Sequence, residues 1–179
     1  MDDAPNLVLV GPMGAGKSAV GARVAARLSL PFVDLDAAIA RDAGASIGEL
    51  FAREGEAGFR EREHHALEAA LDDRRKLVAA GGGVVLDARN RQLLLDRAWV
   101  VWLQASPATQ LRRLAGSSDR PLLAVADPAA ALEALAIARE PLYREVAALS
   151  LATDDCGEVA AADALAGLVH AHWPPVAAA

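Results

Sequence analysis

Residues 11–18 read Gly-Pro-Met-Gly-Ala-Gly-Lys-Ser, a match to G-x-x-x-x-G-K-[ST], and with their flanks they constrain this chain more than any other feature. The β-prone run Asn-Leu-Val-Leu-Val at residues 6–10 leads into the loop, as expected of a strand buried on both faces. After the loop, Val20, Val24 and Leu28 recur at helical spacing with Arg23 and Arg27 off that face, which predicts a helix over residues 17–28. Glycines at such a junction let successive backbone N–H groups turn inward onto phosphate oxygens, and the helix start adds its positive dipole end. Lys17 is placed to neutralise β- and γ-phosphates, and the Ser18 hydroxyl to ligate Mg²⁺. The motif implies binding of a nucleoside triphosphate and leaves the destination of the phosphate open.

Short apolar runs and amphipathic segments alternate along the rest of the chain. Further strands are expected at residues 32–36, 77–80, 99–103 and 149–153. Ser46 and Glu49 form a capping-box pattern that opens a short helix; Phe59, Glu63, Ala66, Leu67 and Ala70 line one side of a longer one. Other helices are expected around residues 90–95, after Ser106-Pro107, over 128–148 with a bend at Pro141, and over 158–170. Five strands separated by helices predict a three-layer α/β fold, a five-stranded parallel sheet flanked by helices, in one domain spanning residues 1–179. Residues beyond about 172 read as a frayed tail. The formal net charge of −6 argues against a general nucleic-acid binder, and no run approaches the ~20 apolar residues of a membrane span. A single cysteine, Cys156, and an acidic N-terminus without a secretory pattern give the expectation of a cytoplasmic chain.

The acceptor has to be read from other residues. Asp34 and Asp36 leave the second strand at the sheet edge where α/β proteins bind ligands, on one face if the strand persists through both. A carboxylate there can hold Mg²⁺ through water or orient a substrate hydroxyl; equally, it can cap a helix. Arg60 and Glu63, three apart on a helix, can pair, and a cleft-facing pair would present a planar guanidinium to a substrate carboxylate. Residues 81–83 are three glycines directly after a strand, where a backbone free of side chains can approach a ligand closely. Arg120 stands in an aperiodic segment, and Arg139 and Arg144 flank Pro141-Leu142-Tyr143; an arginine on a mobile loop can close over a triphosphate. His64 and His65 have no partner at metal-ligand spacing, Trp99 and Trp102 sit on a strand as packing residues, and Cys156 reads as structural.

Taken in order, these segments resemble the shikimate kinase family over residues 6–170. The resemblance is carried by the loop at 11–18, Phe-Val-Asp-Leu-Asp at 32–36, residues 47–51, Gly55-Glu56 with Phe59-Arg60 and Glu63, the glycines at 81–83, Arg-Pro-Leu-Leu at 120–123 and Arg-Glu-Pro-Leu-Tyr at 139–143. It implies a nucleoside-monophosphate-kinase-like fold with a helical substrate-binding region at about 32–72 and a lid at about 115–127. It implies ATP held by Gly14, Ala15, Gly16, Lys17, Ser18 and Ala19, with Arg113 near the adenine and Arg120 reaching the phosphates from the lid. Mg²⁺ would be held by Ser18, with Asp34 acting through water. Asp36 would contact the shikimate hydroxyls, Arg60 and Arg139 would clamp its carboxylate with the backbone of Gly82 and Gly83, and Phe51 and Phe59 would line its ring. Lys17, Asp36 and Arg120 would be the catalytic groups of a monomeric enzyme. A kinase of another small hydroxy acid such as gluconate, a nucleotide kinase, and a catalytically idle nucleotide switch are the rival readings of the same loop.

Overall fold

The computed structural model describes residues 5–73, 75–115 and 125–173. In chain order these form β1 (Asn6–Val10), α1 (Lys17–Leu28), β2 (Phe32–Asp34), α2 (Leu35–Ala43), α3 (Ile47–Asp72) and β3 (Leu77–Ala79). A single 3₁₀ turn (Val84–Leu86) precedes α4 (Ala88–Arg97), β4 (Ala98–Gln104), α5 (Pro107–Leu114), α6 (Pro128–Val146), β5 (Leu149–Ala152) and α7 (Glu158–His172). The strands of the described residues form one parallel sheet in the order β2-β3-β1-β4-β5. With all strands parallel, every carboxyl end lies along one edge of the sheet, where the loops after β1, β2 and β3 become neighbours.

Period-two alternation in β1 explains the three layers. Val8 and Val10 join Leu35, Leu50, Leu67, Leu94 and Tyr143 in one core, under α2, α3, α4 and α6. Leu7 and Leu9 point the other way, into a second core with Val20 and Val24 of α1 and Leu165 and Val169 of α7. Burial on both faces is why residues 7–10 of β1 read as an unbroken apolar run.

Local structure departs from expectation where side-chain capping overrides pattern. The second strand ends at Asp34 rather than at residue 36, because the Asp34 carboxylate accepts the Ala37 N–H at 3.1 Å and starts α2. Asp36 therefore lies in the first turn of a helix, where its charge suits the dipole, and strand alternation does not relate the two aspartates. The capping box at Ser46 and Glu49 is formed, and α3 breaks at Gly55 (φ 70°, ψ −178°) into the expected short and long helices. Pro141 is accommodated inside α6. Arg120, most of the expected lid and the expected tail beyond residue 173 lie outside the described residues. No described helix is long and apolar enough to cross a membrane.

Gly21 sets how closely α1 can sit on the sheet. A Cβ there would lie 2.9 Å from Phe32, 3.1 Å from Leu77 and 3.2 Å from Leu9. Gly21→Val adds that carbon and two more, so overpacking of ~1–3 kcal/mol outweighs the few tenths gained in helix propensity. Urea unfolding should show a lowered midpoint with an unchanged slope; an unchanged midpoint would mean that α1 is not held at this distance.

Candidate active site

Three glycines in the loop after β1 adopt backbone angles that side chains resist: Gly11 (φ 140°), Gly14 (φ 75°) and Gly16 (φ 92°). A Cβ on Gly11 would also sit 2.2 Å from the Leu103 carbonyl oxygen of β4. Gly16 is the N-cap of α1, so the helix begins at Lys17 with its amides opening toward the loop. Lys17 Nζ donates to the Gly11 and Pro12 carbonyls, each at 2.8 Å, which brings the ammonium across the mouth of the loop. Beside it, a cleft of about 350 Å³ is lined by Gly14, Gly16, Arg113, Thr153, Cys156 and Gly157.

Arg113 closes one wall of that cleft. Its guanidinium donates to Gly14 O (2.9 Å), Thr153 Oγ1 (3.0 Å), Thr153 O and Cys156 O (3.3 Å), tying the phosphate loop to the segment after β5. Thr153 is buried and its hydroxyl also bonds Ala15 O (3.3 Å) and Gln104 O (2.9 Å). This threonine has no motif around it; its one sequence signal is a hydroxyl residue at the carboxyl end of a strand. Cys156, expected to be structural, lines the same cleft.

On the other side of Lys17, four charged side chains gather around residues 81–83. Arg60 Nη1 donates to Glu63 Oε2 at 2.7 Å, and the buried Glu63 side chain is only 1% exposed. Arg60 Nη2 reaches Glu56 at 3.1 Å, and the guanidinium lies 5.5 Å and 6.0 Å from the ring centroids of Phe59 and Phe51. Those rings stack at 4.5 Å across the break in α3. Burial works against the Arg60 charge, but Glu63 and Glu56 more than offset it and hold the guanidinium above its ordinary pKa. Burial pushes the Glu63 carboxyl up; Arg60 pulls it down, Asp36 adds to the rise, and Arg139 opposes it. Arg139, from α6, is 5% exposed and donates to Gly82 O at 3.2 Å.

The triple glycine answers demands from within the protein that its sequence does not reveal. None of the three has a positive φ; what they supply is room for the protein's own groups. A Cβ on Gly81 would stand 2.7 Å from Glu63 Oε1 and 2.8 Å from Asp36 Oδ1. One on Gly82 would lie 3.3 Å from the Met13 backbone nitrogen, and one on Gly83 would fall 2.4–2.6 Å from the Arg60 guanidinium. The three residues thus seat two carboxylates, the phosphate loop and a cation in turn. Arg60 and Glu63 pair as their spacing suggested, Asp36 and Arg139 join them at residues 81–83, and Asp34 stands at the cap of α2, two residues before Asp36. His64 packs instead, its Nδ1 sharing a 2.7 Å hydrogen bond with Asn90 Oδ1 while Asn90 Nδ2 donates to Val84 O (3.0 Å). Trp102 also packs, stacked on Tyr143.

The chain has close relatives among known proteins. The family model described as shikimate kinase matches residues 13–167. The chain belongs to the shikimate kinase family. It is 51% identical over 173 residues to the shikimate kinase of Xanthomonas oryzae pv. oryzae (strain PXO99A), covering 97% of this chain and 96% of that protein. It is 52% identical over 169 residues to that of Stenotrophomonas maltophilia (strain K279a), covering 94% and 92%. Among solved structures, shikimate kinase from Acinetobacter baumannii in complex with shikimate superposes with a TM-score of 0.91 at 39% identity, over 95% of each chain.

In this shikimate kinase family member, the room left by Gly83 is a direct handle on Arg60. Gly83→Ala meets the far end of a long side chain, so the chain should remain within ~1 kcal/mol of wild-type stability while the guanidinium moves. A crystal structure of the variant should show the Arg60–Glu63 pair opened or shifted; an unmoved pair would show that the loop, not the arginine, gives way.

Proposed function

We propose that this chain transfers the γ-phosphoryl group of ATP to the 3-hydroxyl of shikimate, giving ADP and shikimate 3-phosphate. The observation that carries the residue assignment is the meeting of Asp36, Arg60, Glu63 and Arg139 around residues 81–83, against the backbone of the phosphate loop. Shikimate is a small ring with a carboxylate at one end and hydroxyls at the other. Arg60 and Arg139 take the carboxylate as planar cationic forks, with the Gly82 and Gly83 backbone beside them and Phe51 and Phe59 against the ring. Asp36 accepts the hydrogen bond of the attacking hydroxyl, aligns its oxygen and stands ready to receive its proton. The new bond forms between that oxygen and the γ-phosphorus as the bond to the β-phosphate bridging oxygen breaks.

Gly14, Ala15, Gly16 and Ala19 hold the triphosphate through the loop and the first turn of α1, and Lys17 balances the charge that shifts toward ADP. Arg113, which lines the cleft beside the loop, lies toward the adenine in this reading. Ser18 and Asp34 are the residues that would hold Mg²⁺, which when bound would neutralise phosphate charge. The donor set suits that ion: a hydroxyl and a carboxylate are hard oxygen donors, and Mg²⁺ binds through one or two such protein oxygens plus phosphates and water. In this reading residues 32–72 bind the acceptor and residues 115–127 form the lid, with Arg120 supplying a further cation to the phosphates and water excluded on closure. The enzyme works as a monomer in the cytoplasm, where a lone cysteine is at home.

An ADP-release assay with Mg²⁺ and ATP tests the proposal against its nearest rival, with shikimate and gluconate as acceptors. Shikimate should stimulate turnover and gluconate should not. Arg60→Ala should lower kcat/KM for shikimate by about 10–150-fold, the ~1.5–3 kcal/mol of a charge-assisted bond, with little change in KM for ATP. Lys17→Ala should abolish turnover with every acceptor. Equal stimulation by gluconate, or Arg60→Ala with wild-type shikimate kinetics, would overturn the acceptor assignment.

A further inference from the structure

Tyr143 lies one turn beyond Arg139 on the same face of α6. It is 2% exposed, and its ring stacks on Trp102 of β4 with centroids 5.7 Å apart and planes 27° apart. Its hydroxyl donates to the Gly82 carbonyl. That same oxygen accepts Arg139 Nη1 at 3.2 Å, so one carbonyl with two lone pairs serves two donors from one helix.

The carbonyl belongs to the run of three glycines. Residues 81–83 have no side chains to hold them, so the orientation of each peptide depends on what its polar atoms bond. In a planar trans peptide, the Gly83 N–H points opposite to the Gly82 carbonyl. Drawing that carbonyl toward α6 aims the Gly83 N–H away from α6, on a residue whose missing Cβ makes room for Arg60. Arg139 depends on the same oxygen for its own placement. A phenol suits this task because it adds a rigid ring, held between α6 and β4, to a single directed donor. Burial pushes its pKa up to about 12, so the donor proton is retained throughout the neutral range.

We propose that Tyr143 is a positioning residue for the acceptor: by anchoring the Gly82 carbonyl it sets both the Gly82–Gly83 peptide and the Arg139 guanidinium, and so tunes recognition of the acceptor carboxylate without binding it. The inference rests on the acceptor reading above. It assigns the hydroxyl a role in one substrate's binding and none in nucleotide binding, which separates it from simple packing.

Tyr143→Phe keeps the ring and its stack and removes only the donor. Its KM for shikimate should rise about tenfold, while kcat and the KM for ATP stay within about twofold of wild type. Combined with Arg139→Lys, the rise should be smaller than the product of the two single effects, because both act through one carbonyl. A wild-type KM for shikimate in Tyr143→Phe, with the wild-type chain active, would overturn this inference alone. Equal rises in both KM values with a lowered Tm would also overturn it, in favour of structural support. Absence of shikimate-dependent ADP release from the wild-type chain would remove the acceptor reading and this inference together.

Discussion

The site depends on the parallel pairing of β1 with β3. Leu9 lies in register with Ala79, and the Ala80 N–H donates to Leu9 O at 3.0 Å, so the two strands end side by side. From there β1 runs into the phosphate loop and β3 into the triple glycine. The register therefore places a ready-made anion cradle against a segment without side chains, close enough that a Cβ on Gly82 would be 3.3 Å from the Met13 nitrogen. Distant parts of the chain then need only reach that seam.

The seam is populated by charge held under tight control. Two arginines and two carboxylates share a partly dry space, where an unpaired ion would be costly. Glu63 is nearly inaccessible and is committed to Arg60, which keeps the guanidinium in one orientation over Phe51 and Phe59. Asp36 adds a second carboxylate against Gly81. Phosphoryl transfer demands mainly placement and charge neutralisation, and charged side chains fixed by their partners are suited to both.

The layered fold was readable because each strand carries an apolar run and each helix a periodic stripe, as the two cores divided by Leu7, Val8, Leu9 and Val10 show. The phosphate loop was readable from one motif in its strand–helix context. Asp36, Arg60, Glu63 and Arg139 could be named as candidates, but the packing that makes them converge could not. The strand assigned to residues 32–36 stops early because a side-chain cap at Asp34 outweighs β propensity, a contest that apolar pattern does not report. The glycines at 81–83 look like a ligand-approach loop; their closest demands come from Asp36, Glu63, Met13 and Arg60, which belong to other elements. Thr153 and Tyr143 each bond a backbone carbonyl, and such bonds leave no spacing rule in a sequence.

A crystal structure of the chain with ADP, Mg²⁺ and shikimate tests the central claim most directly. The account predicts the shikimate carboxylate between the Arg60 and Arg139 guanidinium groups, a ring hydroxyl at Asp36, and the nucleotide phosphates in the loop at residues 11–18. Shikimate bound away from residues 81–83, or with its carboxylate touching neither arginine, would contradict it.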